Sequence, residues 1–437
     1  MESKLLTYMM NFELWQKELP EFLEEKHINV TLGKMLCTPE VRLRMYLATR
    51  DGKYRISPPY AALIPKDKPG EFRRVWINET PDRWWLRLAN CALNHFCCSM
   101  ISPFVTSYQR GLGTQETVQK ISREVVRLDK IRNDKVIGVK IDLHHFFDEV
   151  PLSIINEVFD KIEELLEIEH DADPVINTLR EYYNSDLVFD EDGNLIHLFT
   201  SLKQGSSISG FLANVCLRDF DDKISKLGVY CRYSDDLVLF NDKAEESLET
   251  IKTELAKKNL QVNPSKVELL RSDRWFKFLG FNLKNEMITL SKNRVKKFQK
   301  EIISRTINKP NITFNQARTN VINYLYNGEY CWASSCLGTV NCKHDIDEMN
   351  LFIMDCLRAV KVRETKKRKD KISIRMIGGL GVVTDLEDRT ILRGTGKNVT
   401  TNRNKTDKYI ENYLTMGCLA NAMKINKGVY SALVRSI

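Results

Sequence analysis

The stretch Gly228-Val-Tyr-Cys-Arg-Tyr-Ser-Asp-Asp-Leu-Val-Leu-Phe240 limits the fold more than any other part of the chain. Apolar and aromatic residues flank an adjacent acid pair, Asp235 and Asp236, which predicts strand, tight turn and strand with the acids at the tip. Two acids side by side repel each other. A divalent cation relieves that cost, because hard oxygen ligands suit Mg²⁺ and its charge offsets theirs. Alone, Asp-Asp in a hairpin turn is ordinary and most often only solvated. Upstream, Val136–Asp142 reads as a short apolar strand ending in a carboxylate, followed by Leu143-His-His-Phe-Phe147 and Asp148. Laid beside the hairpin, that strand brings three carboxylates to one point. Such a cluster holds two metal ions about 4 Å apart, one lowering the pKa of an attacking hydroxyl and the other steadying a leaving phosphate oxygen.

Composition sets outer limits. A chain of 437 residues with 43% hydrophobic content supports a sizeable core divided among two or three subdomains. With 28% charged residues and no long apolar run, no membrane span is expected, and Met1–Met10 has too short an apolar stretch for a secretory signal. Eleven scattered cysteines suit a reducing compartment, so a cytoplasmic setting is expected. Cys331, Cys336, Cys342 and His344 offer four zinc ligands, but their gaps are not those of common fingers or knuckles, and no metal is expected there. The net charge of +8 is moderate; what matters for nucleic acid is local clustering of Lys and Arg.

In order and spacing, Ile141-Asp-Leu-His-His-Phe-Phe-Asp148, Ser201-Leu-Lys-Gln-Gly-Ser-Ser-Ile-Ser-Gly-Phe-Leu-Ala-Asn214 and Tyr233-Ser-Asp-Asp236 resemble three consecutive palm motifs of reverse transcriptases, most closely those of the bacterial group II intron and retron branch. Leu260–Glu268 resembles the next palm motif, Phe276–Phe281 the primer-gripping hairpin, and Leu63–Arg74 the fingers motif, so the resemblance covers about residues 54–290. It implies an α/β (α+β) right-hand polymerase: N-terminal helices and fingers over 1–135, a palm of antiparallel sheet on helices over 136–290 with part of the fingers inserted at about 150–200, and a helical thumb with an RNA-binding region over 291–437. The implied catalytic acids are Asp142, Asp235 and Asp236, and the implied ligands of two Mg²⁺ ions, with Mn²⁺ as an alternative, are those three and Leu143.

The same resemblance assigns substrate contacts. Lys66 and Arg73 hold the triphosphate, with Arg74 one register away as the alternative; the backbone N–H groups of His145 and Phe146 point at it. Phe147 stands where the family places an aromatic under the incoming sugar, leaving no room for a 2′-hydroxyl, so the product is expected to be DNA. Gln204-Gly205 resembles the Pro-Gln-Gly turn that supports the template base, but Lys203 replaces the proline, which puts the stiffness of the turn in doubt. Lys266 is either near the triphosphate, protonating pyrophosphate, or a solvated loop lysine. Metal activation leaves His144 and His145 little to do as bases. Arg232 is read as a strand residue paired with a phosphate or a neighbouring acid.

Residues 11–47 read as helices broken at Pro20 and Pro39, and Tyr54–Asn78 as a basic hairpin whose first arm includes Tyr54–Ile56. Ser107–Thr114 resembles the segment beside the template, with Arg110 as a contact. Lys292, Lys296 and Lys297 crowd an amphipathic helix suited to a duplex backbone. Helices are expected at Ile312–Trp332, Asp345–Val360 and Lys408–Val434, and the basic run Lys361–Lys371, with Lys366, Lys367 and Arg368, reads as a linker or as an RNA contact. No appended endonuclease or ribonuclease H-like set is found, which leaves a likeness to stand-alone antiphage reverse transcriptases that work with a structured noncoding RNA. Three readings stay open: templated cDNA synthesis from such an RNA; template-relaxed or protein-primed synthesis, even of RNA; and an idle RNA-binding scaffold. Phe147 weighs against RNA synthesis and the intact acids against the scaffold. Deoxynucleoside triphosphates are the expected substrates, no membrane partner is expected, and the oligomeric state is left open.

Overall fold

The computed structural model describes residues 3–25, 28–66, 70–326, 332 and 336–368. Among these, the strands are β1 (Tyr60–Pro65), β2 (Phe72–Ile77), β3 (Ile137–Asp142), β4 (Leu187–Phe189), β5 (Leu195–His197), β6 (Val229–Tyr233), β7 (Asp236–Asn241), β8 (Glu268–Arg271), β9 (Phe276–Phe278), β10 (Phe281–Lys284) and β11 (Met287–Leu290). They form three sheets, ordered β2-β1-β4-β5, β6-β7-β3-β8 and β11-β10-β9. The chain divides into two compact units, residues 1–117 with 136–270, and residues 118–135 with 271–437.

The first unit begins with helices Lys4–Met9, Phe12–Glu25, Val30–Leu36 and Pro39–Arg50. Ser3, Asn29 and Thr38 cap three of them through side-chain oxygens that accept backbone N–H groups. Pro20 does not break its helix, contrary to the sequence reading; Phe12–Glu25 runs through it. The lost i→i−4 bond is offset by a buried aromatic seam, with Trp15 and Phe22 packed on Trp84 at 5.4 and 5.0 Å between ring centroids. Tyr54–Ile56 is not a strand either. Pro58 and Pro59 precede β1 and cannot donate to a ladder, and Tyr54 turns inward instead, its hydroxyl donating to Asp82 Oδ1 at 2.8 Å and its ring stacked on Trp85.

Apolar residues at helical spacing bury one face of Leu152–Leu166 (Ile155, Val158, Phe159, Ile162), and Asp173 caps the next helix, Pro174–Asn184, by accepting from Val175 N and Ile176 N. In the second sheet of this unit β3 pairs antiparallel with β7, and β7 with β6. Val139, Ile141 and Leu237–Phe240 are buried, as expected of central strands covered on both faces. This sheet carries Asp142, Asp235 and Asp236 at one end.

The second unit contains the β9–β11 sheet and helices Lys292–Arg305, Phe314–Tyr326 and Lys343–Arg368. The last continues through the basic run to Arg368, where the sequence suggested a linker from Lys361. Lys, Arg and Glu are strong helix formers, and the extension is tied by Arg363 Nη1 donating to Ile307 O at 2.8 Å and by a Lys361–Glu364 pair. The loops expected near Gly378 and Arg393 and the helix at Lys408–Val434 lie outside the described residues. No described helix is long and apolar enough to cross a membrane, and no disulfide joins the described cysteines.

Candidate active site

Register brings the acids together. Asp142 is the last residue of β3 and lies directly opposite Asp236, the first of β7, so both side chains leave the same face of the sheet. Tyr233 pairs with Asp236, which leaves Ser234 and Asp235 as a two-residue turn, and Ser234 takes the left-handed conformation such turns require, with φ 61°. Asp235 O accepts the Leu143 N–H at 3.0 Å, and Asp142 O accepts the Asn263 N–H at 2.9 Å, so the acids are tied through the backbone as well. Burial, then the charge of Asp142, raises the Asp235 pKa; burial, then Asp235 and Asp142, pushes Asp236 up to about 6. Lys266 Nζ lies 2.8 Å from Asp142 Oδ2, and this lysine is therefore not simply solvated. A carboxylate-only cluster whose ionisation is opposed by its own charge, and which already attracts an ammonium, fits a hard divalent cation.

The floor under the turn is a buried ion pair that the sequence did not single out. Arg232 and Asp221 are both fully buried and meet through two bonds, Nε to Oδ1 at 2.8 Å and Nη2 to Oδ2 at 2.7 Å, while Tyr230 donates to the same Oδ1 at 2.6 Å. The rest of the guanidinium reaches backbone: Nη1 donates to Ser234 O at 3.0 Å and Nη2 to Asn214 O at 3.1 Å. Arg232 thus joins helix Arg218–Ile224, the end of helix Ser209–Val215 and the Asp235-Asp236 turn. Its partner is an acid, one of the two options the sequence left open. A second tie comes from Ser107, whose Oγ accepts the Ser234 N–H and donates to Asn214 Oδ1.

Lys66, Arg73, Gln204 and Gly205 line one cavity of about 560 Å³ together with Ile64, Pro65, Glu71 and Val75. Arg74 is not in this lining; strand alternation turns it away, and its Nε pairs with Glu191 Oε1 at 2.7 Å. The Gln204 carbonyl accepts the Trp76 N–H at 2.7 Å, and a Cβ on Gly205 (φ 114°) would lie 2.7 Å from Trp76 O, so this approach needs glycine. Lys203 is fully buried: Nζ donates to Ser185 O and to Thr200 Oγ1, each at 3.0 Å, and lies over the Tyr182 ring. Where proline would fix the turn through its ring, this lysine holds it by side-chain bonds. Phe147 is 8% exposed and its carbonyl accepts the Leu202 N–H, while Phe146 is core. His145, at φ 36°, begins the short helix Phe146–Glu149, and His144 Nδ1 lies 2.7 Å from Glu149.

Other assigned residues are dispersed. Arg110 pairs with the buried Glu18, which also holds Arg87. Lys292, Lys296 and Lys297 are exposed on helix Lys292–Arg305; Lys366, Lys367 and Arg368 end the last helix, and of these three only the backbone is described. Of the zinc candidates, Cys331 lies outside the described residues, Cys336 accepts from Arg294 and His344 lies 3.6 Å from Asp345. Among the described residues, the trio whose ligand atoms all lie within 4.8 Å of one another is Asp160, Glu163 and His170, and Arg180 already fills it, at 2.7 Å from Asp160 and 2.5 Å from Glu163. The three acids at the sheet end are set wider than that trio.

Two stability measurements follow from this geometry. Arg232→Leu leaves Asp221 buried without its partner and is expected to lose about 3–5 kcal/mol in urea unfolding, with part of the loss recovered in the double variant with Asp221→Leu. Burial lowers the Lys203 pKa from 10.5 to about 8. Between those values the unfolded chain binds more protons than the folded one, so this group makes stability rise with pH from about 8 to 10.5. Lys203→Met is expected to flatten that rise, read as the difference between the two proteins' urea midpoints at successive pH values.

The model of the family described as reverse transcriptase (RNA-dependent DNA polymerase) matches residues 64–283, half of the chain. No curated protein matches the sequence. Similar solved structures include apo telomerase from Candida tropicalis truncated from its C-terminal domain (16% identity, 56% of this chain and 58% of that one, TM-score 0.38). Others are telomerase from Candida albicans in complex with a TWJ fragment of telomeric RNA (14%, 88% and 64%, 0.47) and full apo telomerase from Candida tropicalis (13%, 84% and 66%, 0.44). The chain therefore spans less than two thirds of the length of each. The matched segment holds β3 with Asp142, the Gln204-Gly205 turn and the Asp235-Asp236 hairpin on an α/β right-hand polymerase fold, and the chain belongs to the reverse transcriptase family.

Proposed function

We propose that this chain is an RNA-directed DNA polymerase, a nucleotidyltransferase that extends a primer along RNA. The observation that carries this reading is the register that sets Asp142 opposite Asp236 with Asp235 on the adjoining turn. Asp142, Asp235 and Asp236, with the Leu143 backbone, would hold two Mg²⁺ ions, or Mn²⁺, which when bound supply an activated primer hydroxyl and a stabilised leaving oxygen. The remaining roles belong to this chain's own side chains. Lys66 and Arg73, on the cavity wall, neutralise the phosphates, and Arg73 is preferred to Arg74 because Arg74 is paired with Glu191. Gln204 in the same wall supports the base pair, Phe147 closes the space a 2′-hydroxyl would need, and Lys266 guards Asp142 until substrate draws it away.

The finer reading rests on motif likeness for the branch and on elimination and analogy for the role in defence. It is that the chain is a bacterial enzyme of the group II intron and retron branch, acting in the cytoplasm in antiviral defence and copying an associated structured noncoding RNA into cDNA. Residues 1–135 would serve as N-terminal helices and fingers, 136–290 as palm and 291–437 as thumb, with Lys292, Lys296 and Lys297 exposed for a duplex backbone. Sequencing the nucleic acid that copurifies from cells identifies template and product together, and untemplated product sequence would favour template-relaxed synthesis.

Purified protein with Mg²⁺, a primed RNA template and deoxynucleoside triphosphates is expected to extend the primer, and Asp142→Ala or Asp235→Ala to abolish extension. Equal activity in those variants ends the polymerase reading. Phe147→Ala is expected to raise incorporation of ribonucleotides relative to deoxynucleotides by about tenfold or more in single-nucleotide assays; an unchanged ratio removes the gate from Phe147.

A further inference from the structure

We propose that Tyr108 is the second wall of the sugar pocket, a specificity-determining residue that fixes, with Phe147, the room available at the 2′ position of an incoming nucleotide. The inference rests on the polymerase reading above and assigns a role there to a residue outside the motifs that carry it.

Tyr108 meets Phe147 edge to face, with ring centroids 6.1 Å apart and planes at 79°. Behind it stands Gly210, on helix Ser209–Val215, where a Cβ would come within 2.5 Å of Tyr108 Cγ; the ring lies on the helix backbone because that position has no side chain. The hydroxyl shares a 2.9 Å hydrogen bond with Ser234 Oγ, beside Asp235 on the catalytic turn. Both Tyr108 and Ser234 are in the left-handed region, at φ 56° and 61°, a conformation that side chains disfavour and that persists where the surroundings impose it. The surroundings do so through Ser107, which is held by Asn214 through two bonds, Oγ to Oδ1 at 3.0 Å and Nδ2 to the carbonyl at 2.7 Å.

The ring is therefore fixed by its backbone, by its hydroxyl and by the glycine behind it, yet the residue is 49% exposed, against 8% for Phe147. A tyrosine serving only to fill a core would be covered. This one is locked in place with much of its surface open, next to the acids and against the proposed gate. A buttress of this kind also explains how one phenylalanine can discriminate between sugars: an unsupported ring would swing aside, whereas Phe147 has the Tyr108 ring packed against it edge to face and its own carbonyl bonded to Leu202.

The test is single-nucleotide incorporation by the full chain on a primed RNA template, with kcat/KM measured separately for a ribonucleotide and its deoxynucleotide. Tyr108→Ala, with Phe147 intact, is expected to lower discrimination by about tenfold, whereas Tyr108→Phe keeps the ring and is expected to keep discrimination within about twofold. Tyr108→Leu fills the space without a ring and supplies the reading if the alanine variant does not fold; it too is expected to lower discrimination. Gly210→Ala displaces the ring from behind and is expected to change the ratio by about threefold or more. If Tyr108→Ala or Tyr108→Leu depresses both nucleotides equally, or the ratio survives Gly210→Ala, Tyr108 is a packing residue and the proposal falls. A wild-type protein that incorporates neither nucleotide would instead remove the polymerase reading itself.

Discussion

Three carboxylates held at the end of one sheet oppose their own assembly, and the surrounding architecture answers that repulsion. Two of them, Asp142 and Asp236, face each other across a strand pair, an arrangement that disfavours like charges. The backbone supplies most of the restraint: Leu143 N–H to Asp235 O, Asn263 N–H to Asp142 O, and a ladder that extends from Ile137 to Asp142 against β7. Lys266 offsets the charge of Asp142 directly, and Lys140 and Lys266 lower the cost at Asp236. Burial first, and the neighbouring carboxylates after it, raise the pKa of Asp235 and Asp236, and the same crowding favours any hard cation that settles among the oxygens.

Below the acids, charge is handled in the opposite manner. Arg232 and Asp221 are sealed from water, and each polar atom of the pair that meets a partner does so inside the protein. Buried pairs of this kind seldom raise stability over apolar substitutes of the same size. Here the guanidinium makes five hydrogen bonds, one of them to Ala213 O, reaching three chain segments, and so determines where the Asp235-Asp236 turn sits with respect to helix Ser209–Val215. All three segments would have to move together for the turn to shift.

What could be read from the sequence follows from distance along the chain. The hairpin bearing Asp235 and Asp236 and the strand ending in Asp142 are local patterns of apolar residues and turn residues, and each lies where those patterns place it. Asp221 could not be chosen as the partner of Arg232, because Asp219 and Asp222 stand beside it and only the helix phase decides which acid faces inward. Tyr108 looked like part of a glycine-bearing template loop; its contacts with Phe147 and Ser234 join residues 39 and 126 positions away, a distance no local pattern spans. Lys203 was legible as a departure from the family but not as a buried side chain, since the carbonyl of Ser185 that receives it lies in another segment. Pro20 and the stretch Tyr54–Ile56 failed for a simpler reason: packing on Trp84 and Trp85 outweighed local propensity.

The bond from Trp76 N–H to the Gln204 carbonyl has a mechanical meaning. Arg73 is three residues before Trp76 on β2, so Arg73 and Gln204, which line the same cavity, are coupled through the backbone of one strand. On the proposed polymerase reading, a pull on the hairpin through Arg73 would be felt at Gln204, so phosphate binding and base support would be coupled rather than independent.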